Sequence, residues 1–228
     1  LNVPIKDKEI QDHTRIVSTL PLLKDLIQRK AKVIIIAHLG RPKGKQNKDL
    51  SLVPIYKFLK KQLETNLYFF TGNIDNETKT KTSYLKSGEV LLLDNIRFFK
   101  GEDENDENFA KILSALGEIY INDAFSCSHR KQASVHKITK YVKHCYAGPL
   151  LKTEVEAIDL VIKDKKKPVT CIIGGSKIST KINIISNLIQ NVENIVIVGA
   201  MANNFLKFKN FKVDKSLLEV NSEKIIEG

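Results

Sequence analysis

Short apolar runs rich in branched residues alternate along this chain with longer amphipathic stretches, and that alternation constrains the fold more than any other feature. The runs cover 33–37, 67–70, 90–93, 118–121, 169–173 and 195–198, and helix-like stretches lie at 14–30, 52–64, 106–116, 152–165 and 181–190. Ser51 is placed to cap the second helix, and Asp106 with Glu107 suits the positive end of the third. The strands are too continuously apolar to keep one face in water, which indicates parallel sheets covered by helices on both sides. The longest gap between runs, from Ile121 to Val169, holds Tyr146-Ala147-Gly148-Pro149-Leu150 and then an amphipathic helix. The predicted fold is therefore α/β: a doubly wound, Rossmann-like N-terminal domain over 1–146, a linker helix within 147–165, and a partial second α/β domain over 166–228.

An apolar content of 42% in 228 residues is enough for a core and argues against disorder. No apolar run approaches the roughly 18 residues of a membrane-spanning helix, so no membrane span is expected. Cys127, Cys145 and Cys171 are odd in number, widely spaced and without a CxxC pair, which reads as free thiols in a reducing, cytoplasmic setting. The start at Leu1 and the abrupt end at Ile225-Ile226-Glu227-Gly228 read as truncation at both ends, with nothing resembling a signal peptide.

The charge balance is 37 basic against 26 acidic side chains, a net +11. A charge of that size raises the possibility of a nucleic-acid partner. Thirty-two of the basic residues, however, are lysines scattered among acidic ones, as on an ordinary solvated surface, so no nucleic acid is expected. Only Arg15, Arg29, Arg41, Arg97 and Arg130 are arginines. A flat, permanently charged fork grips carboxylate or phosphate with two parallel hydrogen bonds, which lysine cannot do. Arg29 reads as a surface residue at a helix end.

In a parallel sheet, the loops after the C-terminal ends of the strands line one edge, where ligands bind. The first run leads into His38-Leu39-Gly40-Arg41-Pro42, the third into Asp94-Asn95-Ile96-Arg97-Phe98, and the fourth into Asn122-Asp123-Ala124-Phe125-Ser126-Cys127-Ser128-His129-Arg130. Arg41, Arg97 and Arg130 thus share an edge, with His38 and Arg15 within reach. Their mutual repulsion implies a small ligand carrying more than one negative charge. Any one of these arginines taken alone could simply pair with a nearby carboxylate, and Asp94, Asn95, Asn122 and Asp123 could simply tie loops together. His13, His129, His136 and His144 receive no role.

The fifth run enters Gly174-Gly175-Ser176-Lys177-Ile178-Ser179-Thr180-Lys181. Paired glycines admit close approach to the backbone, and Lys177 and Lys181 are expected on one face of a helix beginning there, a setting suited to nucleotide phosphates. The other reading is a tight turn with solvated lysines. Neither GxxxxGK[ST] nor GxGxxG occurs.

Taken together these stretches resemble the phosphoglycerate kinase family. The resemblance runs through Asn2-Val3-Pro4, Arg15-Ile16, His38 to Gly44, Leu92 to Phe98, Asn122 to Phe125, Ser128-His129-Arg130 with Ala133-Ser134, Gly174 to Lys177 with Lys181, and Met201 to Leu206. It implies reversible transfer of the ATP γ-phosphoryl group to the carboxylate of 3-phosphoglycerate, giving 1,3-bisphosphoglycerate and ADP, with Mg2+ bound along with the nucleotide and no dedicated protein metal ligand. By motif match, Asn2, Arg15, His38, Leu39, Gly40, Arg41, Arg97 and Arg130 would form the 3-phosphoglycerate site. Gly175, Ser176, Lys177, Lys181, Gly199 and Ala200 would form the nucleotide site, and Arg15 and Lys177 would neutralise charge on the transferring group. The family implies a cytoplasmic monomer whose domains close about a hinge, here within 147–165. Asp94 stands where a glutamate is commoner, and Gly199-Ala200 where two glycines are usual. The family's substrate-site aspartate would precede Leu1, and its second domain would continue past Gly228, so the isolated chain is expected to catalyse poorly or not at all. The competing readings are a non-catalytic, anion-binding remnant and a basic nucleic-acid-binding protein.

Overall fold

The computed structural model describes residues 1–162 and 166–227; residues 163–165, the end of the expected linker, and Gly228 lie outside them. The chain divides into two compact units, Leu1–Val155 and Glu156–Gly228.

The first unit opens with a hairpin, β1 (Ile5–Lys6) and β2 (Glu9–Ile10), that the apolar pattern does not reveal. Its two-residue turn places both Asp7 and Lys8 at positive φ, 52° and 65°, the geometry that matches the twist of paired strands. The helix expected over 14–30 is two helices, α1 (Thr14–Val17) and α2 (Leu20–Gln28). Pro21 falls in the first turn of α2, where its missing N–H costs nothing, whereas within one continuous helix it would remove a bond. Then follow β3 (Val33–Ile35), α3 (Val53–Gln62), β4 (Leu67–Phe70), α4 (Asn76–Ser83) and β5 (Val90–Leu93). Helix α4 is polar throughout, so no apolar period announces it.

Strands β3, β5 and β4 pair in that order, all parallel, with β5 in the centre. All four β5 residues are buried, and alternate side chains serve two cores. Val90 and Leu92 pack with Leu20 and Leu23 of α2 and Ile55 and Leu59 of α3. Leu91 and Leu93 pack on the other face with Phe109, Ala110 and Leu113 of a later helix. Burying each such side chain contributes about 1.5–3 kcal/mol, and the period-two alternation puts helices on both faces, as the doubly wound reading requires.

Helix α5 (Lys100–Asp103) precedes that later helix, α6 (Glu107–Ser114), whose N-terminus Asp106 caps by accepting from the Phe109 N–H at 2.7 Å. Strands β6 (Ile119–Asn122) and β7 (His144–Ala147) form a separate parallel ladder, so the parallel pairing is divided between two short ladders and is not one continuous sheet. Helix α7 (Pro149–Ile162) starts three residues earlier than the periodicity suggests. The reason is a cap supplied from elsewhere: Asp123 Oδ1 accepts from the Leu150 and Leu151 N–H groups at 2.7 and 3.2 Å. Gly148 makes room for it, since a Cβ there would collide with the Asp123 carboxylate.

The second unit is built on β8 (Thr170–Gly174) and β9 (Asn194–Val198), paired in parallel. Ile173 and Ile197 turn toward Ile178, Ile185 and Met201, a small core closed by α8 (Ile182–Ile189), α9 (Ala200–Phe208) and α10 (Glu223–Glu227). Ile172, Val196 and Val198 are exposed. Among the described residues all three cysteines are free thiols, and no helix is long and apolar enough to cross a membrane.

Candidate functional site

Strand β3 delivers the chain into 38–41, and the loop is shaped by its neighbours before any side chain acts. Gly40 sits at φ +61°, a conformation that favours glycine, and a Cβ on it would also press the end of the Leu50 side chain at 2.9 Å. The loop after β5 is stitched alongside it: the Ile96 N–H donates to Ala37 O at 3.1 Å, and the Gly44 N–H to Arg97 O at 3.1 Å. Asn95 is fully buried and braces three segments at once. Its Nδ2 donates to Leu39 O at 2.7 Å and to Leu50 O at 2.9 Å, while its Oδ1 accepts from the Arg97 N–H at 3.1 Å. Asp94 holds the neighbouring segment, accepting from Ser51 Oγ at 3.0 Å and from the Leu52 N–H at 2.7 Å. The cap on α3 expected from Ser51 is thus shared: Ser51 Oγ accepts from the Val53 N–H at 3.3 Å, and Asp94 takes the N–H before it.

Arg97 is 5% exposed. Its Nη1 donates to Gly40 O at 2.9 Å and its Nη2 to Gln132 Oε1 at 3.3 Å. Its Nε lies 4.0 Å from Asp103 Oδ1 without a hydrogen bond. Burial lowers the guanidinium pKa, and Asp103 opposes the effect. His38 lies in the same field. Burial, then the charges of Arg97, the Leu1 amino group and Arg130, pull its pKa from 6.5 to about 4, so the imidazole is neutral at physiological pH.

The hairpin side closes the arrangement. Asn2 Oδ1 accepts from the Gly40 N–H at 3.3 Å, and Asn2 O accepts from Arg15 Nη1 at 2.7 Å. Arg15, on α1, is otherwise exposed, as is Arg130 after β6. Asn2, Arg15, His38, Leu39, Gly40, Arg97 and Arg130 are therefore gathered around one loop cluster. Arg41 follows Gly40 directly but is exposed, with no side-chain hydrogen bond or ion pair among the described residues. Asp103 stands 4.0 Å from Arg97, and among the described residues no carboxylate is paired with Arg15, Arg41 or Arg130, so the cluster keeps a positive excess able to hold a small polyanion.

Sequence reasoning missed the supporting group. Glu102, 2% exposed, accepts from the Ser134 N–H at 2.9 Å and from Ser134 Oγ at 2.7 Å, and burial raises its pKa. Gln132 Nε2 donates to Asp103 Oδ1 at 2.5 Å. Both acids lie on the short helix α5, which carries no motif, and only the nearness of Gln132 to Arg130 in the chain could have hinted at a link.

In the second unit, the glycine loops after β8 and β9 lie against each other. The Met201 N–H donates to Gly175 O at 2.8 Å, and a Cβ on Gly199, at φ +71°, would sit 3.3 Å from that same oxygen. A Cβ on Gly175 would meet nothing within 4 Å, which leaves open space over the loop. Ser176 and Lys177 are exposed, Lys181 is half-buried, and Ala200 begins α9. One expectation fails: α8 starts at Ile182, after a turn in which the Lys181 and Ile182 N–H groups both donate to Ile178 O, so Lys177 and Lys181 do not share a helix face. Ile178, buried in the small core, pins that turn and delays the helix.

The family model for phosphoglycerate kinase matches residues 1–227. The chain belongs to the phosphoglycerate kinase family. The phosphoglycerate kinase of Wolbachia sp. subsp. Drosophila simulans (strain wRi) is 44% identical over 218 residues, covering 96% of this chain and 54% of its relative. That of Rhizobium meliloti (strain 1021) is 42% identical over 219 residues, covering 96% and 55%. Among solved structures, phosphoglycerate kinase from Coxiella burnetii superposes with a TM-score of 0.86 at 38% identity, covering 100% of this chain and 57% of that one. The chain thus spans about half the length of the phosphoglycerate kinases it matches.

Proposed function

We propose that this chain is part of an enzyme that moves a phosphoryl group reversibly between ATP and the carboxylate of 3-phosphoglycerate, giving 1,3-bisphosphoglycerate and ADP. The observation that carries the reading is the gathering of Arg97, Arg130, Arg15 and neutral His38 around the Leu39–Gly40 loop, with more positive charge than nearby carboxylates balance. The accepting carboxylate is already an anion at neutral pH, so no catalytic base is needed. The protein has to position two mutually repelling anions and neutralise charge that develops on the phosphoryl oxygens.

Arg97, Arg130 and Arg41 are assigned to the distal phosphate of 3-phosphoglycerate, and Arg15 to the end where transfer occurs. Asn2, with the Leu39–Gly40 loop, frames the ligand. In the second unit, the open space above Gly175 and the close packing of the Gly175 and Gly199 loops fit a nucleotide. Lys177 and Lys181 are assigned to its phosphates, Gly175, Ser176, Gly199 and Ala200 to the wall of its adenine pocket, and Lys177 joins Arg15 in neutralising the transferring group. Among the described residues no three His, Cys, Asp or Glu side chains gather as a metal site. Mg2+ is assigned to the nucleotide phosphates, as the family implies, where it would offset their charge. The proposed setting is glycolysis in the cytoplasm, by a monomer whose domains close about a hinge within 147–165.

Calorimetric titration of the chain with 3-phosphoglycerate, followed by a phosphoryl-transfer assay with MgATP, tests the reading. Saturable one-to-one binding of 3-phosphoglycerate is expected. No binding at millimolar ligand, or equal binding of arbitrary duplex DNA lost with added salt, would defeat it. Because the chain spans about half of its relatives, binding without turnover would favour an anion-binding unit over a complete kinase.

A further inference from the structure

Arg97 is held in an unusual way for a buried cation. The nearest carboxylate, Asp103, does not bond to it: their closest approach is 4.0 Å, at Nε. Between them stands a neutral amide. Gln132 Oε1 accepts from Arg97 Nη2 at 3.3 Å, and Gln132 Nε2 donates to Asp103 Oδ1 at 2.5 Å. Gln132 is itself 6% exposed, so this geometry is fixed by packing and not by chance at a surface. The other arm of the guanidinium is tied to the backbone at Gly40 O.

We propose that Gln132 is a positioning residue for Arg97, an amide relay that lets Asp103 anchor the guanidinium without a direct hydrogen bond to it. The inference rests on the assignment of Arg97 to the 3-phosphoglycerate site. A carboxylate bonded directly to the guanidinium would occupy its donors and cancel its charge, leaving little for an incoming phosphate. An amide satisfies one N–H and fixes the plane of the fork, so that Asp103 acts on the charge from 4.0 Å and the remaining Nη donors stay available for the ligand. Asp103 in turn fixes which way the amide faces, since only its Nε2 can donate to a carboxylate. Glu102 supports the same segment from the other side by holding Ser134. Gln132 and Ser134 are thus both tied to α5, through Asp103 and Glu102.

The test uses Gln132→Met, which keeps the volume and removes both hydrogen bonds, and Gln132→Glu, which keeps the acceptor and adds a charge against Arg97. Calorimetry with 3-phosphoglycerate is expected to give binding on the order of tenfold weaker for Gln132→Met and weaker again for Gln132→Glu. A purely structural role would lower the melting temperature alone. The relay also predicts a spectroscopic change: once Arg97 moves, its part of the depression of His38 is lost, and the His38 ring titration followed by NMR rises from about 4 while burial, the larger cause, still holds it below 6.5. If Gln132→Met does not fold, Gln132→Glu carries the test by itself. Binding within twofold of the parent in a folded variant, or an unmoved His38 titration in folded Gln132→Met, overturns the relay while leaving the 3-phosphoglycerate assignment standing. Failure of the parent chain to bind 3-phosphoglycerate overturns both.

Discussion

Replacing Asn95 by alanine should destabilise the first unit by about 3 kcal/mol, and the figure follows from its contacts. The side chain is fully buried and makes three hydrogen bonds, to Leu39 O, to Leu50 O and from the Arg97 N–H. The bonds to Leu39 and Arg97 are buried on both sides, so truncation strands a carbonyl and an N–H without water, about 1–1.5 kcal/mol each. The third is only partly buried and is recovered in part by solvent, while the small void left behind adds about 0.5 kcal/mol. With a urea dependence of about 2 kcal/mol per molar, the unfolding midpoint should fall by about 1.5 M. Because Asn95 also sets the spacing between the Leu39–Gly40 loop and the Arg97 backbone, 3-phosphoglycerate binding should weaken together with stability. Asn95→Asp is expected to be at least as damaging, since it turns a carboxylate toward two carbonyl oxygens. A midpoint shift under about 0.5 M for Asn95→Ala would refute the claim that one buried amide organises this loop cluster.

Arg41→Lys keeps the charge but loses the fork. It should reduce 3-phosphoglycerate affinity by about 1–3 kcal/mol in calorimetry, with no change in melting temperature because the residue is exposed; unchanged affinity would remove Arg41 from the site. His38 makes stability depend on pH in a defined direction. Its folded value, about 4, lies below its ordinary 6.5, so the unfolded chain takes up the proton first, and the contribution is present above pH 6.5 and lost as pH falls toward 4. Urea midpoints should therefore drop more between pH 7 and pH 5 for the parent than for His38→Gln, and equal drops would show that His38 is not held neutral.

Several features of the site were legible in the sequence because they follow from local rules. The run at 90–93 has no polar position, which predicts a strand buried on both faces, and its alternate side chains do enter two separate cores. A parallel sheet places the residues after each strand on one edge, so Arg41, Arg97 and Arg130 could be grouped with His38 and Arg15 before any contact was known, although Arg130 follows β6, which pairs with β7 in a separate ladder. Other elements were not legible. Helix α4 has no apolar stripe, the 5–10 hairpin lacks the usual glycine or asparagine turn, and the start of α8 is set by where Ile178 packs and not by helix propensity.

The alternation of strand and helix, the parallel direction of the main ladders and membership of the phosphoglycerate kinase family were legible in the sequence itself, through apolar periodicity and a series of short motifs in order, whereas the order in which the strands pair was not. Tertiary structure alone decided how the arginines differ in use: Arg97 is buried against Gly40 and Gln132, whereas Arg41 is left free of partners among the described residues. The physical reason is distance along the chain. Arg97 meets Gly40 across 57 positions and Gln132 across 35, and no local rule of propensity or spacing reaches that far. Side chains of identical chemistry acquire different roles only when folding sets how much water, and which carbonyls and carboxylates, each of them meets.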